Sequence, residues 1–216
     1  MDRPSLEHST VAAGDSFPRL HAPAPLTDNA LVDKARSGDL SAFEELVKRH
    51  QARIYRLTAH ILRSHGDADD LTQETFVRAY RALGRFDGRS EFFTWLYRIA
   101  VNLCLNALRS RKSRARNTTL EDARIDGIEP NADSGRPDED ALRKQTYALL
   151  CEGIDSLSET LRTTMILVCV DGVSHEEAAA ILGAPAGTIA WRVHEARRKL
   201  REFMVERGVD PEGGAR

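Results

Sequence analysis

The chain has 216 residues, 41% hydrophobic and 30% charged, enough apolar material for one large domain or two small helical ones. Its 31 basic and 33 acidic side chains leave a formal charge of −2, so the total charge does not announce a polyanion-binding protein. No apolar run approaches the length of about 20 residues that spans a bilayer, and the N-terminus has no signal-peptide core; a cytoplasmic protein without membrane insertion is expected. The cysteines Cys104, Cys151 and Cys169 are far apart, in apolar settings and without CxxC spacing, which predicts reduced, buried thiols and neither zinc nor a disulfide framework.

Residues 1–27 carry Pro4, Pro18, Pro23 and Pro25 without a sustained period and read as a disordered extension. From Asp28 the apolar residues recur at helical spacing. Leu31 and Ala35, then Phe43, Leu46, Val47, Ile54, Leu57, Ile61 and Leu62, form a helical hairpin region broken at Ser37-Gly38-Asp39. Gly66 and Asp67 open a further helix through Leu71, Phe76, Val77, Tyr80 and Leu83. The segment GRFDGRS, residues 84–90, reads as a loop, and a long helix follows from about Phe92 to Arg111. Residues 117–139 lose the period and form an acidic linker, with Pro130 and Pro137 among its breakers. A second helical block runs over 140–206, and 207–216 form a flexible tail. The fold class is therefore all-α: two helical domains, 28–116 and 140–206, joined by a flexible linker.

In the second block, Ser174-His175-Glu176-Glu177 has the form of a capping box. The helix it starts buries Ala178, Ile181 and Leu182. Gly183 ends that helix by tolerating positive φ, and Pro185 prevents its continuation. Thr188 begins the next helix, with Ile189, Val193, Ala196 and Leu200 on one face. A short helix, a glycine turn and a second helix with a basic outer side make a helix-turn-helix. Thr188, Trp191, Arg192 and Glu195 point away from the apolar stripe, where base edges would meet them. Arg197, Arg198 and Arg201 suit phosphates.

The first block carries a second polar stripe. Along the helix from Phe92, the residues Trp95, Leu96, Ile99, Ala100, Leu103 and Leu108 mark a core side. Arg98, Asn102, Asn106 and Arg109 mark another, which leads into the basic run containing Arg111 and Lys112. Asparagine is a poor filler of helix interiors and a good reader of base edges. Phe86, Phe92, Phe93, Trp95 and Tyr97 cluster at the start of this helix. Aromatic faces beside a basic track hold unstacked single-stranded bases; the same rings also serve as core filling, and for Phe92, Phe93 and Tyr97 both readings stand.

The run DADDLTQETFVRAYRALGRFDGRSEFFTWLYRIAVNLCLNALRSRKSR resembles region 2 of the extracytoplasmic-function sigma factors of RNA polymerase. The block from Leu149 to Phe203, with VSHEEAAAILGAPAGTIAWRVHEARRKLREF, resembles their region 4, in the family's order. The resemblance implies a specificity subunit that binds core RNA polymerase and directs promoter recognition and opening, without a cofactor and without enzyme activity. It implies that Asp67, Asp70, Gln73 and Glu74 dock on the clamp helices of the largest polymerase subunit. It implies that residues 84–98 capture a flipped base of the −10 strand, with Phe92, Trp95, Arg98, Asn102, Asn106, Arg109, Arg111 and Lys112 on that element. Thr188, Trp191, Arg192, Glu195, Arg197 and Arg198 would then read the duplex −35 element. An anti-sigma factor is the implied regulatory partner. Two positions depart from the family pattern: Leu157-Ser158 stands where a Leu-Pro pair is usual, and Ala190-Trp191 precedes Arg192 with Glu195 after it.

Two other classes compete. A stand-alone helix-turn-helix regulator leaves DADDLTQETF and TWLYRIAVN unexplained. An enzyme would use His60, His65, Asp67 and Asp69 as metal ligands or acid–base groups, but no further ligand converges on them in sequence.

Overall fold

A computed structural model describes residues 26–117 and 137–209, with side chains described for 26–114 and 144–209. The expected extension, acidic linker and most of the tail lie outside the described residues. Among those described, the order is α1 (Asp28–Arg36), α2 (Leu40–Leu62), α3 (His65–Ala82), a 3₁₀ turn (Leu83–Arg85), α4 (Phe92–Asn117), α5 (Pro137–Ser156), α6 (Glu159–Met165), a π-helical turn (Ile166–Val170), α7 (His175–Leu182) and α8 (Ala186–Glu206). No described residue lies in a strand.

Local chemistry sets most helix ends. Thr27 and Asp39 cap α1 and α2 by accepting backbone N–H bonds, from Ala30 and from Ser41 and Ala42 respectively. Ser64 caps α3, which starts one residue before the predicted Gly66. α4 continues to Asn117, six residues past the expected Arg111. α5 begins at Pro137, a residue read from sequence as linker; proline suits a first helical position because its missing N–H has no partner there anyway. The capping box at Ser174 and Glu177 is complete in both directions, and Gly183 ends α7 at φ 62°. α8 starts at Ala186, two residues before the expected Thr188, because Pro185 is compatible with the position just ahead of a helix.

In the N-terminal half α1, α2, α3 and α4 pack on one another. Leu46, Ile54, Leu57, Phe92, Leu96 and Tyr97 are wholly buried there, each such apolar side chain contributing roughly 1.5–3 kcal/mol. Thr58 satisfies its buried hydroxyl across α2 and α3 with the Ala68 carbonyl and the Thr72 hydroxyl. Val77, expected to face inward, is instead exposed, and Thr72, Thr75 and Ala79 take the inner positions of α3. The smaller size of those residues lets α3 lie close to its neighbours.

The C-terminal half builds a second core from Leu157, Leu161, Met165, Ala196, Leu200 and Met204, where α5 and α6 meet α8. Gly153 sits under Leu200 and Phe203, where a Cβ would collide with both side chains. The two halves also join: α7 packs on α4, and Ile166, Leu167, Val173, Ala178 and Ile181 extend the N-terminal core. The cysteines differ from expectation. Cys104 is buried, its thiol pushed up to about 12 by that burial, whereas Cys151 is half-buried and Cys169 exposed.

Candidate nucleic-acid interfaces

The first candidate surface is on α3. Asp70 and Gln73 are exposed, and Asp67 and Glu74 are half-buried on adjoining sides of the helix. Glu74 accepts from Arg78 one turn on, at 2.7 Å, and Asp67 pairs with Arg111 of α4. The predicted docking carboxylate Asp67 is therefore tied to a residue predicted for DNA. Val77 and Tyr80 continue the surface with exposed apolar area, and Tyr80 meets Phe43 edge-on at 5.0 Å. Sequence reading missed both, since helical periodicity alone does not say which of Phe76 and Val77 faces the core.

The second surface is on α4. Phe86, Phe92 and Trp95 form a cluster with ring centroids 5.3–6.0 Å apart. Phe92 is wholly buried, so it supports this corner from within and does not stand on the DNA side, a correction to its predicted role. Trp95 is half-buried, with part of its ring accessible. Phe93 and Tyr97 meet with ring centroids 4.2 Å apart and planes tilted by 50°, and the Arg53 guanidinium lies 4.0 Å from the Phe93 centroid. Arg98, Asn102, Asn106, Arg109 and Lys112 are exposed along one side of the helix, with Arg111 half-buried.

This stripe borders the C-terminal half. Arg98 donates to the Ala180 carbonyl of α7 at 2.6 Å, and Arg109 lies 3.9 Å from Glu159 of α6. Just inside, the Tyr97 hydroxyl donates to Asp171 at 3.2 Å, and Arg53 donates to the Asp171 backbone carbonyl at 3.4 Å. Burial pushes the Asp171 carboxyl above its usual range, with the Tyr97 hydrogen bond opposing it, and burial likewise raises the Tyr97 phenol. Farther along the seam, Arg63 ends α2 in the left-handed conformation at φ 53°; it donates to the Cys151 carbonyl at 3.0 Å and pairs with Asp155. Sequence reading gave Arg53 and Arg63 no role and took Asp171 only as part of a turn with Gly172; their partners are 118, 88 and 74 residues away.

The third surface is the outer side of α8. Ile189, Val193, Ala196, Leu200 and Met204 are buried against α5, α6 and α7, as their spacing requires. Trp191 is 60% exposed, while Thr188, Arg192 and Glu195 are intermediate. Both Glu195 oxygens accept from Arg198, at 2.8 and 2.9 Å, and these bonds hold the Glu195 carboxyl below its usual range. Arg198 also reaches Glu202. Arg197 turns aside toward the Cys169 sulfur, 3.5 Å away.

The rival enzymatic site does not assemble. His65 bonds the Tyr55 hydroxyl, and His60 lies in the seam between the halves; no group of three or more His, Cys, Asp or Glu suited to a metal occurs among the described residues. Nor is any described helix long and apolar enough to cross a membrane.

Comparison with known proteins agrees with this layout. Residues 46–114 match the family model Sigma-70 region 2, and residues 150–200 match Sigma-70, region 4. The chain is 38% identical over 180 residues to the RNA polymerase sigma-H factor of Pseudomonas aeruginosa, covering 82% of this chain and 93% of that one. It is 37% identical over 178 residues to the ECF RNA polymerase sigma-E factor of Escherichia coli K12, covering 81% and 93%. Among solved structures, it is similar to the sigma factor RpoE in complex with the anti-sigma factor NepR from Bartonella quintana, with a TM-score of 0.61 and 25% identity over 76% of this chain and 96% of that one. It is also similar to CnrH in complex with the cytosolic domain of CnrY, with a TM-score of 0.59 and 26% identity over 83% and 97%.

Proposed function

The chain belongs to the extracytoplasmic-function sigma factors of the sigma-70 family, and we propose that it divides promoter recognition between α4, which takes the separated −10 strand, and α8, which reads the −35 duplex. As a sigma factor it binds core RNA polymerase and directs it to promoters, and it performs no catalysis of its own. The observation that carries the division is the exposed Arg98–Asn102–Asn106–Arg109 side of α4, which runs on from the partly open Trp95. Trp95 offers a stacking face for an unpaired base, while Asn102 and Asn106 present amides to base edges and Arg98 and Arg109 hold the backbone. Binding the unstacked base and the freed strand supplies the energy for opening.

On α3, Asp70, Gln73 and Glu74 supply the surface for the polymerase clamp helices, with Asp67 beside them once its pairing with Arg111 is released. Taking the −10 strand requires α7 to leave α4, because the Ala180 carbonyl now holds Arg98. Both structural relatives are bound to partner proteins, and one of them is a sigma factor whose partner is named as an anti-sigma factor; a partner of that class holding the two halves together is our reading for this chain.

The test is reconstituted transcription. Core polymerase with the purified chain is expected to initiate at a defined start upstream of a gene co-regulated with this one, and Asp70→Arg is expected to weaken binding to core by more than about tenfold, a charge reversal in a polar interface. Initiation indistinguishable from that of core alone overturns the assignment.

A further inference from the structure

We propose that Trp191 sets the −35 preference of this protein by packing its indole against thymine C5-methyl groups in the major groove. The inference rests on the assignment of α8 to the −35 duplex and adds what that helix reads there.

Three observations converge on Trp191. It stands two residues after the buried Ile189 and two before the buried Val193, which at 3.6 residues per turn places it diametrically opposite the packed side of α8. It lies within the first two turns, and the N-terminal part of a recognition helix is the part that reaches base edges. It is 60% exposed, and no ring or cation contact of this indole is seen among the described residues, so a large apolar surface is held in water. One turn before it, Gly187 adds no side chain and has open space around it, leaving a path for a DNA edge to approach the ring.

The chemistry of the neighbours narrows what is read. Glu195, the outward carboxylate one turn later, has both oxygens engaged by Arg198, and Lys199 lies 3.9 Å away. Its capacity to accept from cytosine is thus already drawn upon by its own helix. An indole has a single N–H donor and no acceptor, so it cannot reproduce the paired contacts by which Arg reads guanine or Asn reads adenine. What it offers is apolar area, and the apolar feature of the major groove is the thymine methyl.

The experiment uses the holoenzyme formed by core polymerase and the full chain. Duplexes randomised over the −35 segment, with a fixed −10 element, are selected by wild type and by Trp191→Ala. Wild type is expected to enrich thymine at one or two adjacent positions, and Trp191→Ala to lose that enrichment while keeping preferences at other positions. In the selected duplex, deoxyuridine in place of those thymines removes only the methyl groups. It is expected to weaken wild-type binding about fourfold per methyl, the value of one buried CH₂-sized group, and to leave Trp191→Ala unaffected. An equal deoxyuridine penalty in both proteins, or thymine enrichment that survives Trp191→Ala, overturns the inference and leaves α8 on the −35 element. Absence of any selected sequence over the −35 segment in wild type overturns that assignment as well. Because Trp191 is exposed, unchanged thermal unfolding of Trp191→Ala confirms that the comparison is between folded proteins.

Discussion

The helices α4 and α8 both carry a basic side away from a packed one, yet the fold treats them differently. α8 leans on α5, α6 and α7 and turns Trp191 to solvent. α4 has its polar stripe bordered by α6 and α7, with Arg98 already bonded to Ala180 and Arg109 beside Glu159. The difference fits the division of labour proposed for the two helices. A duplex presents its major groove before any melting, so a groove reader is useful at first encounter. An unpaired strand exists only after opening, so the stripe that takes it loses nothing by being bordered until the promoter has been engaged. The two halves pack on each other as they stand, and on the proposed division they part for the second step.

The strongest way to break that contrast is at Arg63. It is 15% exposed and joins the end of α2 to α5 through the Cys151 carbonyl and Asp155. Arg63→Ala leaves Asp155, among the described residues, with Arg162 at 3.7 Å, and is expected to cost the joined state about 2 kcal/mol, the scale of a charge-assisted hydrogen bond removed from one side. The radius of gyration in solution scattering should rise, and amide exchange over residues 98–109 should quicken. Arg63→Gly supplies a control, since it removes the same bridge but relieves the left-handed backbone by about 1 kcal/mol. If neither variant alters exchange on α4, the bordering of the stripe is independent of this bridge.

A smaller effect separates the two halves energetically. Gly153→Ala forces a methyl group into Leu200 and Phe203, where α5 crosses α8. Overpacking costs roughly 1–3 kcal/mol, offset by up to about 1 kcal/mol of helix propensity gained by alanine. Calorimetry should show a lower unfolding midpoint. Hydrogen exchange should place the loss in α5 and α8 and leave the α1–α3 core unchanged, because that core shares no side chain with Gly153.

Much of the fold was legible because its signals are local. The Ser174–Glu177 capping box, Gly183 and the break at Ser37-Gly38-Asp39 each act within four residues, and the structure places helix ends at all three. The Ile189–Leu200 stripe declared its burial through spacing alone. The site was less legible. Phe92 and Phe93 are adjacent rings of equal hydrophobicity, and only the rotation of α4 against α2 makes the first wholly buried and the second half-buried. Gly153 reads as an ordinary helix weakener until α8 is seen above it. Arg98 was read correctly as exposed, but its bond to Ala180 spans 82 residues and depends on the docking of two halves, which no local pattern encodes.

Acid should loosen the same seam, less than loss of Arg63 does. His60 lines a cavity between the halves with Arg63, Tyr147, Cys151, Ile154, Ile166 and Val170, and its buried Nδ1 has no hydrogen-bond partner. Burial holds the imidazole below the ordinary histidine range; Asp171 pulls it up, and Arg56 and Arg63 push it down. A depressed value in the fold means that the stabilising contribution is present above the unfolded value near 6.5 and is lost as pH falls through the folded one. Asp171, raised by burial, acts in the opposite sense: its contribution is present at low pH and lost as pH rises through its elevated value, starting from the ordinary carboxylate value of 3.8. The interval between pH 7.5 and 5.5 brackets the histidine's unfolded value near 6.5, so it is the interval in which loss of the histidine's contribution begins. Protection over residues 98–109, measured relative to the intrinsic exchange rate at each pH, should fall on acidification in wild type and respond less in His60→Gln.

On α8 the smallest change sharpens the comparison from the other side. Arg198 is held by Glu195 and Glu202, so its charge is partly answered within the helix before DNA arrives. Glu195→Gln removes one of those acids without shortening the side chain, and the freed guanidinium becomes available to a phosphate. The logarithm of −35 duplex affinity of the holoenzyme, plotted against the logarithm of salt concentration, should then steepen by up to about 0.9, the release of counterions from one phosphate. The added phosphate contact should raise affinity on every sequence alike, since such a contact positions the helix without reading bases. An unchanged slope would mean that Arg198 exchanges Glu195 for phosphate in the native protein, and that the exposed side of α8 needs no rearrangement to bind, in contrast to α4.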